Sequence, residues 1–317
     1  TLAALAPAVA REFRRQHGKV RGGDFAIVAL GKLGGREMTA TSDLDLLLLY
    51  DAPEDAVSDG EKQLPAPQYF LRLATRFVNA VTAMTPEGQL YEIDTRLRPS
   101  GTKGPIATSL PGFRRYNLED AWTWEHMALT RARVVVAPTT LRARIEAVVD
   151  EVLRRPRDPA RVLADVADMR VRIARERGAA APLDVKNRRG GLIDVEFVVQ
   201  ALTLVHGARH PGLRAPSTAA ALDALESAGL LAAADAATLR RAFALSSAVQ
   251  AVLRTAIDGA VDPGSQPPAL LAGLARVVGA SSFAALEADL DAACGAAHAV
   301  YERVIPAAPA DGDPPPP

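Results

Sequence analysis

The sequence predicts an α+β chain in two parts, a mixed sheet with helices over residues 1–155 and an all-helical region over 156–305. Three observations carry this. Two apolar runs of strand length, Phe25–Leu30 and Leu44–Tyr50, flank a glycine-rich stretch. Two prolines in Arg155-Pro156-Arg157-Asp158-Pro159 break helical continuity. From Ser217 onward alanine and leucine dominate, and Leu222, Leu225, Leu239, Phe243, Val249, Leu253, Leu286 and Val300 keep a helical period.

In order along the chain, Leu2–Gln16 alternates apolar and basic positions at helical spacing and stops at Gly18, as a lead-in helix would. Phe25–Leu30 is a buried strand that ends at glycine, and Leu44–Tyr50 is a second one. Ala52–Pro67, rich in Pro, Gly, Asp and Glu, reads as a mobile surface loop. Phe70, Leu73, Phe77, Val81 and Met84 form the stripe of a helix lying on a sheet. A turn at Thr85–Gly88 leads into an alternating strand, Gln89–Arg96, followed by a rigid glycine-bearing loop over Pro99–Pro105. Ser109 is a helix N-cap. Trp122 and Trp124, the only tryptophans, read as core anchors, and His126 as a hydrogen-bonded structural residue. Thr140–Arg155 and Ala160–Arg177 are helical by spacing, with Arg170, Arg172 and Arg175 on a solvated face. Gly178–Pro182 is a second candidate boundary, and Pro306–Pro317 a proline-rich tail expected to be disordered.

The chemistry concentrates between Gly31 and Asp51. The two-residue repeat of a strand puts Asp43 and Asp45 on one face with Leu47 and Leu49. Two carboxylates that close repel each other and are costly to desolvate, so a divalent cation is their natural partner. Gly34 and Gly35 lack a Cβ, which lets backbone approach a phosphate closely. Together these describe a site for a metal-bound nucleoside triphosphate. Asp94, at the far end of its strand, supplies the further anionic oxygens that such a site needs. Read alone, it would be an ion-pair partner of Arg96 or Arg98; the upstream Asp-x-Asp makes it the third ligand. Arg96 and Arg98 offer planar forks for phosphate oxygens. Downstream, Lys186 and Arg188 precede a second glycine pair, Gly190-Gly191, and a helix beginning near Asp194. That block is either a phosphate-binding element or a turn with an aspartate cap. His206 and His210 are spaced four apart, but Gly207 and Pro211 argue against a continuous helix and hence a metal site.

Lysine plus arginine number 37 and so do aspartate plus glutamate. That balance lacks the electrostatic footprint of a nucleic-acid binder. The single cysteine, Cys294, excludes an internal disulfide and reads as a small core side chain. No apolar run reaches membrane-spanning length and no secretory pattern opens the chain, so the expectation is a cytoplasmic protein. The start at Thr1, without methionine, is that expected of a piece excised from a longer protein.

The order of strand, Gly34-Gly35 and Asp43-Leu44-Asp45 resembles the DNA polymerase β-like nucleotidyltransferase superfamily. Four ordered blocks narrow this further: Gly-Lys-Leu-Gly-Gly-Arg-Glu-Met with Ser-Asp-Leu-Asp-Leu (31–46), Tyr-Glu-Ile-Asp-Thr-Arg-Leu-Arg-Pro-Ser-Gly (91–101), Trp-Thr-Trp-Glu-His with Arg-Ala-Arg-Val-Val (122–135), and Asp-Val-Lys with Gly-Gly-Leu-Ile-Asp-Val-Glu-Phe (184–197). They resemble the bacterial glutamine synthetase adenylyltransferase family, two-headed enzymes that attach and remove AMP on glutamine synthetase. The resemblance implies that Asp43, Asp45 and Asp94 hold Mg²⁺ or Mn²⁺. It also implies that Gly34, Gly35 and Ser42, with Arg96, Arg98, Lys186 and Arg188, bind ATP, and that PII signal protein and glutamine regulate the whole enzyme. Arg-Leu-Arg-Pro-Ser-Gly and Ala-Trp-Thr-Trp-Glu-His resemble the carboxyl-terminal, AMP-adding half. Three alternatives remain open: the phosphorolytic half that removes AMP, a relative that uridylylates PII, and a non-catalytic docking module. Intact acidic and glycine positions count against the last.

Overall fold

The computed structural model describes residues 1–89, 91–177, 181–256 and 263–306. The chain divides into two compact units, Thr1–Arg155 and Pro156–Pro317.

The first unit opens with helix α1 (Leu2–His17), which ends where Gly18 takes φ 68°, a conformation costly for any residue with a Cβ. Strand β1 (Asp24–Ala29) runs into the five-residue helix α2 (Gly31–Gly35), and β2 (Leu44–Asp51) returns antiparallel to β1 with Ala29 opposite Leu46. After α3 (Ala66–Val81) come a two-residue hairpin, β3 (Met84–Thr85) and β4 (Gly88–Gln89), and then the short strands β5 (Ile93–Asp94) and β6 (Ala107–Ser109). Helices α4 (Leu110–Glu119) and α5 (Thr123–Leu129), strand β7 (Arg133–Val136) and helix α6 (Thr139–Leu153) complete the unit. The sheet order is β5-β2-β1-β7, with β6 also on β2. It is mixed: β5 and β6 run parallel to β2, while β1 is antiparallel to both β2 and β7.

Leu44, Leu46 and Leu48 face a core built with Ala74, Phe77 and Val81 of α3 and Ala6 of α1. Leu47 and Leu49, each 1% exposed, lie on the opposite face, towards α4 and α6. A strand buried on both faces is a continuous apolar run, which is why Leu46–Leu49 carries no polar residue. Each such leucine contributes about 1.5–3 kcal/mol by leaving water. Cladding on both faces fixes the strand that begins at the acidic residues.

The second unit is all-helical among the described residues: α7 (Pro159–Arg177), α8 (Leu192–His206), α9 (Thr218–Ser227), α10 (Ala233–Ala256), α11 (Pro268–Val277) and α12 (Phe283–Val304). Helix α8 is buried nearly all round, from Leu192 to Leu204, as a central helix of a bundle must be. Cys294 is 1% exposed and unbridged, and burial pushes its thiol pKa up, as suits a core side chain. The α+β class is borne out. No helix among the described residues is long and apolar enough to cross a membrane.

Several local expectations need correction. The segment after β2 is pinned rather than loose: Val57 bridges Pro65, Ser58 bridges Val20, and Ser58 is 1% exposed with its hydroxyl accepting from the Leu64 amide at 2.9 Å. Asp59 likewise accepts from the Lys19 amide at 2.8 Å, so two of the segment's polar side chains bond backbone. The strand expected over Gln89–Arg96 shrinks to Ile93–Asp94, because Gly88 and Gln89 pair back onto Met84 and Thr85; Leu90 lies outside the described residues. Trp122 and Trp124 are not core anchors but 46% and 41% exposed, since α5 turns Met127 and Leu129 inward instead. Arg170 does not lie on a solvated face: it pairs with the buried Asp194 and donates to the Asn187 carbonyl at 2.9 Å. Residues 178–180 of the second candidate boundary and 307–317 of the proline-rich tail lie outside the described residues.

Candidate active site

Asp45 is the second residue of β2 and Asp94 the last of β5, and the parallel pairing puts them directly opposite each other. Asp43, exposed, immediately precedes β2. The strands thus bring Asp45 and Asp94 together, and Asp43 lies at the same end of the sheet.

Arg96 is a cation in this acidic corner. Its backbone amide donates to Asp94 Oδ1 at 2.8 Å, and its Nε and Nη2 donate to Oδ2 at 2.9 and 2.5 Å. These bonds hold the Asp94 carboxyl below its ordinary pKa despite partial burial. Arg96 is raised in turn, first by its hydrogen bond to Asp94 and then by that charge, with smaller contributions from Asp45 and Asp43. The guanidinium therefore sits in the field of all three aspartates. Its side chain is 76% exposed against 17% for Asp94, so it covers the carboxylate from solvent.

Arg98 is committed elsewhere. Its guanidinium donates to the Thr95 carbonyl and hydroxyl at 2.9 and 2.7 Å, to the Gly104 carbonyl at 3.1 Å and to the Thr102 carbonyl at 3.3 Å. It organises the loop after β5. Ser42 closes a tight turn in which its hydroxyl accepts from the Thr39 amide at 3.0 Å. Gly34 and Gly35 are buried in α2. A Cβ at Gly34 would lie within 3.0 Å of the carbonyls of Arg131 and Ala29, so this glycine admits protein backbone. Lys186 and Arg188 belong to the second unit. Lys186 is exposed, whereas Arg188 donates to Asp291 at 2.6 Å and to the Pro182 carbonyl at 3.2 Å. Gly190 gives its amide to Asp194 at 2.6 Å, so that block is a turn held together from within.

Gly31 is the residue that sequence reasoning missed. It adopts φ 49°, and a Cβ there would fall within 3.0 Å of Asp45 Oδ2 and Cγ. Asp45 lies against the bare Cα of Gly31, and that close approach requires glycine. The available signal was its place immediately after the strand. Arg131 and Arg133 were also passed over, although both stand in the Arg-Ala-Arg block; each reaches carbonyls of α2.

A divalent cation is implied by the donor chemistry. Carboxylate oxygens are the ligands Mg²⁺ takes, and the register of β2 with β5 brings two of them side by side. Among the described residues no three His, Cys, Asp or Glu side chains are grouped closely enough to hold a metal ion. The fit is one of strand register and donor type, and it requires the exposed Arg96 to leave Asp94.

A family model described as glutamate-ammonia ligase adenylyltransferase matches residues 2–148, and one described as GlnD PII-uridylyltransferase matches 162–299. Curated proteins named bifunctional glutamine synthetase adenylyltransferase/adenylyl-removing enzyme are similar along most of the chain. That of Xanthobacter autotrophicus is 45% identical over 92% of this chain and 30% of its own length. That of Bradyrhizobium sp. BTAi1 is 48% identical over 89% and 29%, and that of Rhodopseudomonas palustris TIE-1 is 44% identical over 94% and 30%. The chain thus spans about three-tenths of the length of these relatives. With its first unit matched by the adenylyltransferase model and most of its length by these relatives, the chain belongs to the glutamine synthetase adenylyltransferase family.

Proposed function

We propose that this chain is the AMP-adding half of such an enzyme, transferring AMP from ATP to a tyrosine hydroxyl of glutamine synthetase and releasing pyrophosphate. The observation that carries this is the pairing of Asp45 with Asp94 across β2 and β5, beside a glycine turn that rests on Asp45. Choice of the adding half is supported by Arg-Leu-Arg-Pro-Ser-Gly and Ala-Trp-Thr-Trp-Glu-His at 96–101 and 121–126.

In this reading Asp45 and Asp94, with Asp43 at the same end of the sheet, would hold Mg²⁺, which would supply positive charge to stabilise the phosphoryl transfer. The chain's own part is positional. Asp45 and Asp94 are fixed by strand pairing, and Arg96, released from Asp94 at the solvent edge, is free to pair with triphosphate oxygens through its fork. The tyrosine oxygen forms a bond to the α-phosphorus and loses its proton, while the bond from that phosphorus to the bridging oxygen of pyrophosphate breaks.

The test is to incubate the chain with unmodified glutamine synthetase, Mg²⁺ and ATP and to weigh the product. Gain of one AMP on tyrosine with release of pyrophosphate is the expected result; an unmodified product defeats the reading. A second reading, AMP removal, draws on the relatives' names, which give both activities, and predicts ADP from adenylylated glutamine synthetase and phosphate. A third, uridylyl transfer, draws on the match at 162–299, which lies outside the acidic unit; it predicts use of UTP in place of ATP.

A further inference from the structure

The five-residue helix α2 is too short to satisfy its own carbonyls, since a helix leaves its last four without internal partners. Two of these, those of Leu33 and Gly34, accept from Arg133 at the start of β7, and the carbonyl of Gly31, the first residue of α2, accepts from Arg131 just before that strand. Arg131 Nε donates to the Gly31 carbonyl at 2.9 Å, and Arg133 donates from Nε to Gly34 at 3.0 Å and from Nη2 to Leu33 at 2.6 Å. Arg131 also forms an ion pair with Glu37, just past the helix, their side chains being 7% and 18% exposed. Its backbone carbonyl fills the space where a side chain at Gly34 would stand. Contacts therefore run without a gap from Glu37 through Arg131 to Gly31, and from Gly31 to Asp45.

A guanidinium this deeply buried is costly unless its donors are used, and in a low-dielectric surrounding the bonds it makes are strong. Arg133 shows the cost: burial, with the nearby charge of Arg36, lowers its pKa. We infer that Arg131, locked by Glu37, is a positioning residue: it fixes the place of Gly31 and so the orientation of the Asp45 carboxylate toward a metal-bound nucleotide. This rests on the nucleotidyltransferase reading of Asp45.

Arg131→Lys keeps the charge opposite Glu37, but a single ammonium lacks the planar fork that serves Glu37 and Gly31 together. Binding of Mn²⁺ with α,β-methylene-ATP, which blocks transfer, is measured by calorimetry, alongside thermal melting and amide exchange of residues 31–37 without metal. The expected result is a melting point close to wild type, faster exchange across the turn, and nucleotide binding weaker by roughly 10–100-fold, the usual effect of removing a residue that orients a ligand. Folded Arg131→Lys that binds as wild type overturns the inference. Should Arg131→Lys fail to fold, Glu37→Gln releases the lock while leaving the bond to Gly31; several-fold weaker binding supports the inference and unchanged binding overturns it. Asp45→Asn separates the two levels. Binding lost in Asp45→Asn but kept in Arg131→Lys defeats the positioning role alone, whereas binding kept in Asp45→Asn defeats the site and the positioning role with it.

Discussion

Two stretches of this chain look alike in sequence and differ in what surrounds them. Gly31–Asp45 and Arg188–Asp194 each carry basic residues, a glycine pair and an acidic residue at the edge of an apolar run. In the second unit Asp194 is 1% exposed, and its oxygens accept from Arg170, from the Gly190 amide at 2.6 Å and from His298 Nδ1 at 3.3 Å. Its glycines serve packing, since a Cβ at Gly190 would strike the Cys294 backbone of α12. In the first unit, Asp45 and Asp94 lie at strand ends, and the cation over Asp94 stands mostly in solvent. A carboxylate compensated wholly from within is a strut; one whose covering cation can leave is able to exchange it for a ligand.

The largest expected effects follow from exchanging one change between the two sites. Asp45→Asn should cut AMP transfer about a thousandfold or more, on the ground that a lost ligand removes several kcal/mol of charge stabilisation, while urea unfolding stays near wild type. Asp194→Asn should do the reverse, lowering stability by about 3–5 kcal/mol because Arg170 is left as an uncompensated buried charge. If Asp45→Asn unfolds the chain, or Asp194→Asn is as stable as wild type, the contrast fails.

That contrast shows why the fold was more legible than the site. The strands around the glycine turn were readable because Leu46–Leu49 can be nothing but interior, and α1, α6 and α7 because their apolar residues recur at helical spacing. Asp94 was placed beside a sheet strand by its local alternation, although only two residues of that strand pair. What stayed hidden depends on partners distant in sequence. Arg170 meets Asp194 across 24 residues and Arg131 meets Gly31 across 100, and no local period records either contact. The tryptophans were misjudged for a related reason: size suggests burial, but their exposure is set by which face of α5 meets the core.

Glycine exchanges give the next largest effects. Gly190→Ala places a Cβ against the Cys294 carbonyl at φ 68°, so stability should fall by about 2 kcal/mol or more, read by chemical denaturation. Gly31→Ala meets Asp45 instead. There the strain of φ 49° costs about 1–2 kcal/mol, while displacement of the carboxylate should lower transfer about a hundredfold. A Gly31→Ala chain with intact transfer would mean that the fit against Asp45 has no part in the site.

The smallest effects test whether the kind of compensation, rather than burial, sets how a carboxylate titrates. Glu125 is 7% exposed and accepts from the Tyr116 hydroxyl and the Trp122 amide, each at 2.9 Å. Burial pushes it above its ordinary 4.5, the two hydrogen bonds offsetting only part, and burial with the bond to Glu125 pushes Tyr116 up to about 12. A raised carboxyl pKa favours the protonated form in the folded state. The contribution of Glu125 is therefore full below pH 4.5 and is lost as pH rises through the raised value. Glu125→Gln should accordingly gain stability relative to wild type as pH climbs through that window. Asp94, with Arg96 on it, is shifted the other way, so its contribution is present above 3.8 and is lost as pH falls through the lowered value. Arg96→Ala removes that contribution, about 1 kcal/mol or less for so exposed a pair, and acid unfolding should begin at a higher pH. Acid and neutral melts of the two variants should therefore diverge from wild type in opposite directions; a shared direction would show that burial alone governs both carboxylates.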